Sequence, residues 1–282
     1  MIIDIHTHAF PSAVRQGRRH FFQDEPAFEL LYASPKARLA GVSETIAMMD
    51  AQGVDKSVVF GFPWRSADTF RRNNDYIMEA VARYPDRLLG FCCLDPMHRE
   101  APAEVERCLK AGMSGVGELA FYASGVEDTC LECLDPIMAL AESFDRPVML
   151  HTNEPVGHLY PGKSPNTLAQ ISALVRRFSR NRIILAHWGG GIFFYTLLKK
   201  QMREELANVW FDTAASPYLY RPEVYRLALE LAGTDKILLG TDYPLLEPRR
   251  YFKEMDQAGL TAEQRKAVCG DNAARLLGLA KK

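Results

Sequence analysis

Two histidines one residue apart, His6 and His8 in the run Asp4-Ile5-His6-Thr7-His8, stand at the start of the chain in a pattern that could chelate a metal ion. In a β-strand the residues i, i+2 and i+4 share a face, so both imidazoles would point the same way with Asp4 one layer below. Three further groups suited to metal or proton chemistry follow short apolar runs: His151 after Val148-Met149-Leu150, His187 after Ile184-Leu185-Ala186, and Asp242 after Leu239-Gly240-Thr241. Glu118 stands near the end of a fourth run, Gly115-Val116-Gly117-Glu118-Leu119. Singly, each could be a strand-end polar group satisfied by backbone. They become a site only in a fold that brings the ends of these runs to one point.

The rest of the chain supplies such a fold. Apolar or β-branched runs predict strands over Ile2 to His6, Lys56 to Gly61, Leu88 to Leu94, Gly115 to Leu119, Pro147 to His151, Ile183 to His187, Val209 to Thr213 and Ile237 to Thr241. Helical patterns lie between them, over Val42 to Gln52, Asn73 to Arg83, Ala103 to Ala111, Leu134 to Ser143, Thr167 to Phe178 and Pro222 to Leu231. Strand-helix alternation of this kind calls for a parallel sheet. Eight units in 282 residues match an α/β (β/α)8 TIM barrel with its site at the C-terminal ends of the strands. A doubly wound open sheet is the competing architecture, but no GxGxxG follows an early strand, and Gly189-Gly190-Gly191 follows a late one. No break in composition divides the chain, so a single domain over residues 1–282 is expected. Two connections are long, Ala9 to Gly41 and Thr152 to Asn166, and long loops at this end of a barrel build sites. The first carries Phe21-Phe22 and the apolar residues Phe28, Leu30, Leu31 and Tyr32, which suit either a lid over the barrel mouth or the interface of a homodimer.

Composition narrows the partners. The formal net charge is -1 and basic residues do not gather without acidic neighbours, so neither nucleic acid nor a membrane surface is expected as a partner. The first residues lack the basic and apolar segments of a leader, and no apolar run approaches a bilayer span, so a soluble cytoplasmic protein is expected. Of the six cysteines, Cys92-Cys93 lie in an apolar run that reads as packing, and reduced thiols are expected. Cys130 and Cys133 form a lone CxxC at the start of a helical pattern, where the spacing is that of a helix rather than of a zinc or redox site.

At this level of detail the chain resembles the amidohydrolase superfamily, and within it the amidohydrolase-2 group that includes the aminocarboxymuconate-semialdehyde decarboxylase-like enzymes. The matching pieces are Ile2-Ile3-Asp4-Ile5-His6-Thr7-His8, Met149-Leu150-His151, Leu185-Ala186-His187-Trp188-Gly189-Gly190, Phe211-Asp212-Thr213-Ala214, Leu239-Gly240-Thr241-Asp242-Tyr243-Pro244 and Asp271-Asn272-Ala273-Ala274-Arg275-Leu276-Leu277. The resemblance implies that His6, His8 and His151 bind the metal and that Asp242 binds it while also handling a proton. It further implies that His187 polarises a substrate oxygen or donates a proton, with direct ligation as its other option. Glu118 lies where several superfamily members use a carboxylated lysine, or a glutamate as in TatD-like deoxyribonucleases, so it could complete one shell or bridge two ions. Zinc suits three imidazoles and a carboxylate best, one ion or two, with manganese, iron or cobalt as other occupants. Asp4 is expected either to accept the second N–H of a ligating histidine or to form a salt bridge deeper in the barrel.

Around the rim, Trp64, Arg65, Tyr122, Asn153, His158, Tyr160, Trp188 and Ser216 are candidate substrate contacts, with Arg65 the cation an anionic small-molecule substrate would need. A metal ion among such ligands lowers the pKa of bound water to roughly 7, which makes hydrolysis of an amide, ester or lactone the first reading. Decarboxylation of a small carboxylated substrate is the alternative. A TatD-like binuclear phosphodiesterase ranks third, because a basic track for nucleic acid is missing.

Overall fold

Residues 1–279 are described by a computed structural model of the chain. Eight parallel strands form a sheet in sequential order: β1 (Ile3–His8), β2 (Lys56–Phe60), β3 (Leu88–Cys92), β4 (Gly115–Leu119), β5 (Val148–Leu150), β6 (Ile183–Leu185), β7 (Val209–Asp212) and β8 (Ile237–Leu238). All eight predicted strands are present, and the fold is the expected TIM barrel. Closure between β8 and β1 runs past the end of β8: Ile5 N–H donates to Leu239 O, Asp242 N–H to His6 O, and His8 N–H to Tyr243 O, at 2.9, 2.9 and 2.7 Å. The strands are buried on both faces because helices cover the outside and side chains fill the inside, as an all-parallel sheet requires.

Helices occupy the predicted gaps, with Val42–Gln52 as expected and the segments Ala67–Arg83 and Asp128–Ser143 each starting six residues before the predicted boundary. Cys130 and Cys133 lie on the latter helix. The unit after β6 departs from the pattern. His187, Trp188, Gly189, Gly190 and Gly191 all have φ between 55° and 86°, a left-handed run that an L-residue resists and that only glycine accepts freely. The chain therefore leaves β6 in tight turns instead of a crossover helix. Among the described residues no helix is long and apolar enough to cross a membrane.

Packing sets where the site can form. Ile3, Ile5, Val58, Phe60, Phe91, Met149, Ile184 and Leu238 form one buried cluster, completed by Ala273, Ala274 and Leu276 of the helix Asn272–Leu276. Register shifts fall between Asp4 and Thr7 on β1 and between Val116 and Leu119 on β4, at the stretches that carry His6 and Glu118. Such irregularities re-aim side chains out of the regular ladder. Gly240 leaves room at the same level, since a Cβ there would stand 2.9 Å from His6 Cβ and 3.1 Å from Asp212 Cβ.

Candidate active site

The C-terminal ends of the strands bring His8, Glu118, His151, His187 and Asp242 together at the floor of a cavity of about 480 Å³, with His6 fully buried beside Glu118 and Asp242. His6 and His8 come from β1, Glu118 from β4, and His151, His187 and Asp242 from the residues after β5, β6 and β8. His187 and Asp242 both hold left-handed backbone conformations, with φ of 55° and 58°, and so does Ala215 on the cavity wall, with φ of 57°. Residues held in such conformations persist where the surrounding structure over-determines them.

Each imidazole has one ring nitrogen bound to an acceptor and the other turned toward carboxylates. His6 Nδ1 is 2.8 Å from Asp212 Oδ2, His8 Nδ1 is 2.8 Å from Gly61 O, and His187 Nδ1 is 3.0 Å from Ala214 O. The opposite nitrogens face inward. His8 Nε2 is 3.3 Å and His6 Nε2 3.7 Å from Asp242 Oδ1, and His6 Nε2 is 3.8 Å from Glu118 Oε2. His187 Nε2 is 3.5 Å from Glu118 Oε1. His151 meets acceptors at both ends of its ring, Glu118 Oε1 at 3.0 Å from Nδ1 and Gly162 O at 2.9 Å from Nε2.

A neutral imidazole carries one N–H, and carbonyls and carboxylates only accept. Once the outer nitrogens have donated, lone pairs face carboxylates across the centre of the site. His6 Nε2 is accordingly buried without a hydrogen-bond partner. The arrangement calls for positive charge at its centre, as imidazolium protons or as a cation. The electrostatics agree: burial opposes the charged form of His6, but the charges of Asp212 and Glu118 and the Asp212 hydrogen bond outweigh it and raise its pKa to about 10. Burial likewise disfavours the charged forms of Glu118 and Asp242. For Glu118 the charges of His151 and His6, and for Asp242 the hydrogen bond and charges of the surrounding imidazoles, hold the carboxyls below their ordinary range. Divalent metal fits this donor set, with an orphaned buried nitrogen and two ionised carboxylates directed at the same space.

The expected partner of the histidines is replaced by another. Asp4 is buried, but its Oδ1 accepts from His6 N–H and Thr241 N–H and its Oδ2 from Thr241 Oγ1, at 3.2, 3.0 and 2.5 Å. It ties β1 to the end of β8 below the rings, and burial raises its pKa to about 7 against those hydrogen bonds. The carboxylate that orients the His6 imidazole is Asp212 at the end of β7. Its Oδ2 meets His6 Nδ1 while its Oδ1 accepts from His187 N–H and Ala214 N–H, each at 2.9 Å.

The cavity walls sort the rim candidates. Tyr122, Tyr160 and His158 line the cavity, with Phe62 and Tyr122 stacked at 6.1 Å and 7°. Trp64, Arg65, Asn153, Trp188 and Ser216 do not. A hydrogen bond from Trp64 N–H to Phe62 O turns the chain after β2, so that Trp64 buries its ring and donates Nε1–H to Asn73 Oδ1 while Arg65 is directed away. Asn153 organises its own loop through Ser164, and Trp188 packs edge-on against Tyr225 at 5.0 Å. The cation in the lining is Arg38, which has no ion-pair partner among the described residues. It comes from the long first connection, where Phe28 and Tyr32 pack on Phe62, and Phe28 also on Trp64, while Leu31, Tyr32 and Ala37 join the cavity wall. Arg18 Nη1 fastens this stretch by donating to Tyr32 O, Ser34 O and Ala37 O.

Comparison with known proteins follows the same lines. A family model described as amidohydrolase matches residues 3–279. The chain is 25% identical to a 2-amino-3-carboxymuconate-6-semialdehyde decarboxylase of Dictyostelium discoideum, over 79% of this chain and 70% of that protein. It is 23% identical to a gamma-resorcylate decarboxylase of Polaromonas sp., over 86% of this chain and 90% of that protein. In fold it is similar to the crystal structure of 5-carboxyvanillate decarboxylase from Novosphingobium aromaticivorans, complexed with manganese and 4-hydroxy-3-methoxy-5-nitrobenzoic acid. That likeness has a TM-score of 0.79 at 18% identity, covering 99% of this chain and 96% of that one.

Proposed function

The chain belongs to the amidohydrolase family and is an enzyme of its metal-dependent kind, and from that premise we propose that it removes carbon dioxide from a small aromatic carboxylic acid without redox chemistry. The observation that carries the reading is the cavity itself. A stacked aromatic wall, Phe62 on Tyr122, rises over a floor of inward-facing imidazoles and carboxylates, with Arg38 in the same lining. A flat ring with an anionic substituent suits such a space. The relatives named above favour this alternative over the hydrolysis that the ligand types suggest by themselves.

The metal would be held by His6, His8 and Asp242 with Glu118 Oε2, while His151, expected in the same shell, faces the other oxygen of Glu118. Zinc suits the imidazoles, and manganese, present in the similar decarboxylase structure, suits the carboxylates. When bound, a divalent ion supplies fixed positive charge that orients and polarises the oxygens of the substrate. The chain's own residues do the rest. Arg38 holds an anionic group and the Phe62–Tyr122 wall sets the plane of the ring. Asp242, ionised at rest and with its side chain 17% exposed, takes a proton from a ring hydroxyl of the substrate and passes it to the ring carbon, and the bond to the carboxyl group then breaks with its electron pair left on the ring as carbon dioxide leaves. His187 keeps Nδ1 on Ala214 O and presents Nε2 to the cavity floor.

The test is release of carbon dioxide from a panel of hydroxylated benzoic acids and carboxymuconate-type acids, with amide, ester and lactone substrates alongside. Turnover confined to the esters or lactones would overturn decarboxylation in favour of hydrolysis. Within an active series, Arg38→Ala is expected to raise KM about 10- to 100-fold with a smaller change in kcat, because loss of a charged contact weakens ground-state and transition-state binding alike.

Asp212 can be tested separately from the chemistry. Asp212→Asn keeps the volume but weakens the acceptor for His6 Nδ1, and loss of such an outer partner typically costs 10- to 100-fold in metal affinity. Competition with a chromophoric chelator would measure the change. An affinity equal to the parent's would remove Asp212 from the positioning of His6.

A further inference from the structure

Two turns at the cavity floor meet at a single hydroxyl that belongs to neither. Tyr251, fully buried on the helix Pro248–Gln257, accepts from Ala215 N–H at 3.0 Å and donates to Thr241 O at 2.6 Å. A backbone N–H only donates and a carbonyl only accepts, so the direction of both bonds is fixed and the one proton of the hydroxyl is committed to Thr241 O. Burial and the charge of Asp242 push the hydroxyl well above its ordinary pKa, which keeps that proton in place. Each of the two peptide units it joins has a second bond at its other end. The carbonyl of the Ala214–Ala215 unit accepts from His187 Nδ1–H at 3.0 Å, and the N–H of the Thr241–Asp242 unit donates to His6 O at 2.9 Å. A continuous chain therefore runs from the His187 ring through Ala214–Ala215, Tyr251 and Thr241–Asp242 to the backbone of β1.

We propose that Tyr251 is a positioning residue, its hydroxyl coupling the turn that fixes the His187 ring to the turn that presents Asp242. The inference rests on the metal-dependent reading in which these two residues serve the chemistry. Backbone conformation explains why a link is needed. Ala215 and Asp242 hold φ of 57° and 58° without being glycine, and such residues stay there only where neighbouring contacts outweigh the strain. For Ala215 N–H and Thr241 O, Tyr251 is the one hydrogen-bond partner among the described residues. Bonds in a chain polarise one another: donation to Thr241 O makes the phenol oxygen a better acceptor for Ala215 N–H, and a peptide unit whose N–H is bound presents a stronger carbonyl to His187. The carbonyl of Ala214 holds the proton of the neutral ring on Nδ1 and leaves Nε2, 3.5 Å from Glu118 Oε1, as the nitrogen turned to the cavity floor. Asp242 is set from the same point, since its own peptide is clamped between Tyr251 and His6 O. A second tyrosine provides the contrast. Tyr225, on the helix Glu223–Leu231, is as deeply buried, but its hydroxyl has no hydrogen-bond partner among the described residues.

The experiment removes the hydroxyl and keeps the ring. In the full chain, Tyr251→Phe is expected to lower Mn²⁺ affinity about 10-fold, read by competition with a chromophoric chelator, and to lower kcat about 10- to 100-fold on whichever substrate of the panel is turned over, with KM little changed. Tyr225→Phe is expected to match the parent in both. Melting separates positioning from packing: a hydroxyl with a purely structural role would lower Tm in Tyr251→Phe but leave Mn²⁺ affinity and kcat, measured well below Tm, at the parent's values, and that result overturns the proposal. Equal losses in Tyr225→Phe overturn it as well, because that ring shares the burial and not the link. Should Tyr251→Phe not fold, Ala215→Gly is added, since glycine takes a left-handed φ without strain while the link to Thr241 stays broken, and the same losses are expected relative to Ala215→Gly alone. The Mn²⁺ measurement needs no substrate, so a different reaction class leaves it standing, whereas a parent chain that binds no Mn²⁺ overturns the metal-dependent reading and the proposal together.

Discussion

Asp242→Asn is expected to leave the barrel folded and to lower kcat by about 10³-fold or more. Both halves follow from position. The residue has φ of 58°, a conformation that asparagine tolerates better than other residues of its size, so the turn after β8 survives the change. Asp242 N–H continues to close the barrel on His6 O. What disappears is a carboxylate oxygen 3.3 Å from His8 Nε2 and 3.7 Å from His6 Nε2, on a group that the surrounding imidazoles keep ionised. An amide carries no charge to a metal and cannot take up a proton and relay it to a substrate. Metal content of the variant distinguishes the two duties: full loading with no turnover isolates the proton transfer, and lost metal points to ligation. Turnover near that of the parent would take Asp242 out of the chemistry.

How much of this site could be read in the sequence depends on what fixes each residue. The strands were legible because parallel barrel strands are short apolar runs, and a residue at the end of such a run is placed by topology alone. His6, His8, Glu118, His151, His187 and Asp242 were found that way. Which atoms face one another is a different matter. Asp4 shares a strand face with His6, but the ring of His6 reaches across the barrel to Asp212, and only the register of β7 against β1 decides that. Arg65 follows a strand directly and Arg38 lies deep in a connection of more than thirty residues, yet it is Arg38 that lines the cavity. One hydrogen bond, Trp64 N–H to Phe62 O, turns the former away, and the packing of Phe28 and Tyr32 with the Arg18 contacts brings the latter in. The apolar residues that suggested a lid or an interface prove mixed: Phe28 and Tyr32 are buried within the chain, and Leu30 is exposed. The Gly189-Gly190-Gly191 run carried no phosphate motif. Its use is conformational, as part of the left-handed turn on which His187 sits.

Metal is expected to stabilise the protein by an amount that grows with pH, and the sign comes from His6. In stripped protein the folded-state pKa of His6 is raised from 6.5 to about 10, because the charges of Asp212 and Glu118 outweigh burial. A group raised on folding contributes stability that is fully present below the unfolded value and is lost as pH climbs through the folded one. Stripped protein should therefore weaken progressively between about pH 6.5 and pH 10. A bound ion takes the place of the proton, so loading releases protons and the apparent affinity rises as pH rises. Each tenfold gain in affinity at fixed free metal adds about 1.4 kcal/mol, or about 2 °C in Tm for a chain of this length, for every proton displaced. The gap in Tm between loaded and stripped protein, measured from pH 6 to pH 9 at one free Mn²⁺ concentration, should widen steadily on that scale. His6→Gln removes the ring whose proton is displaced and should flatten the slope. A gap that stays constant in the parent would mean that the ion displaces no imidazole proton, and that the orphaned nitrogen of His6 is not where it binds.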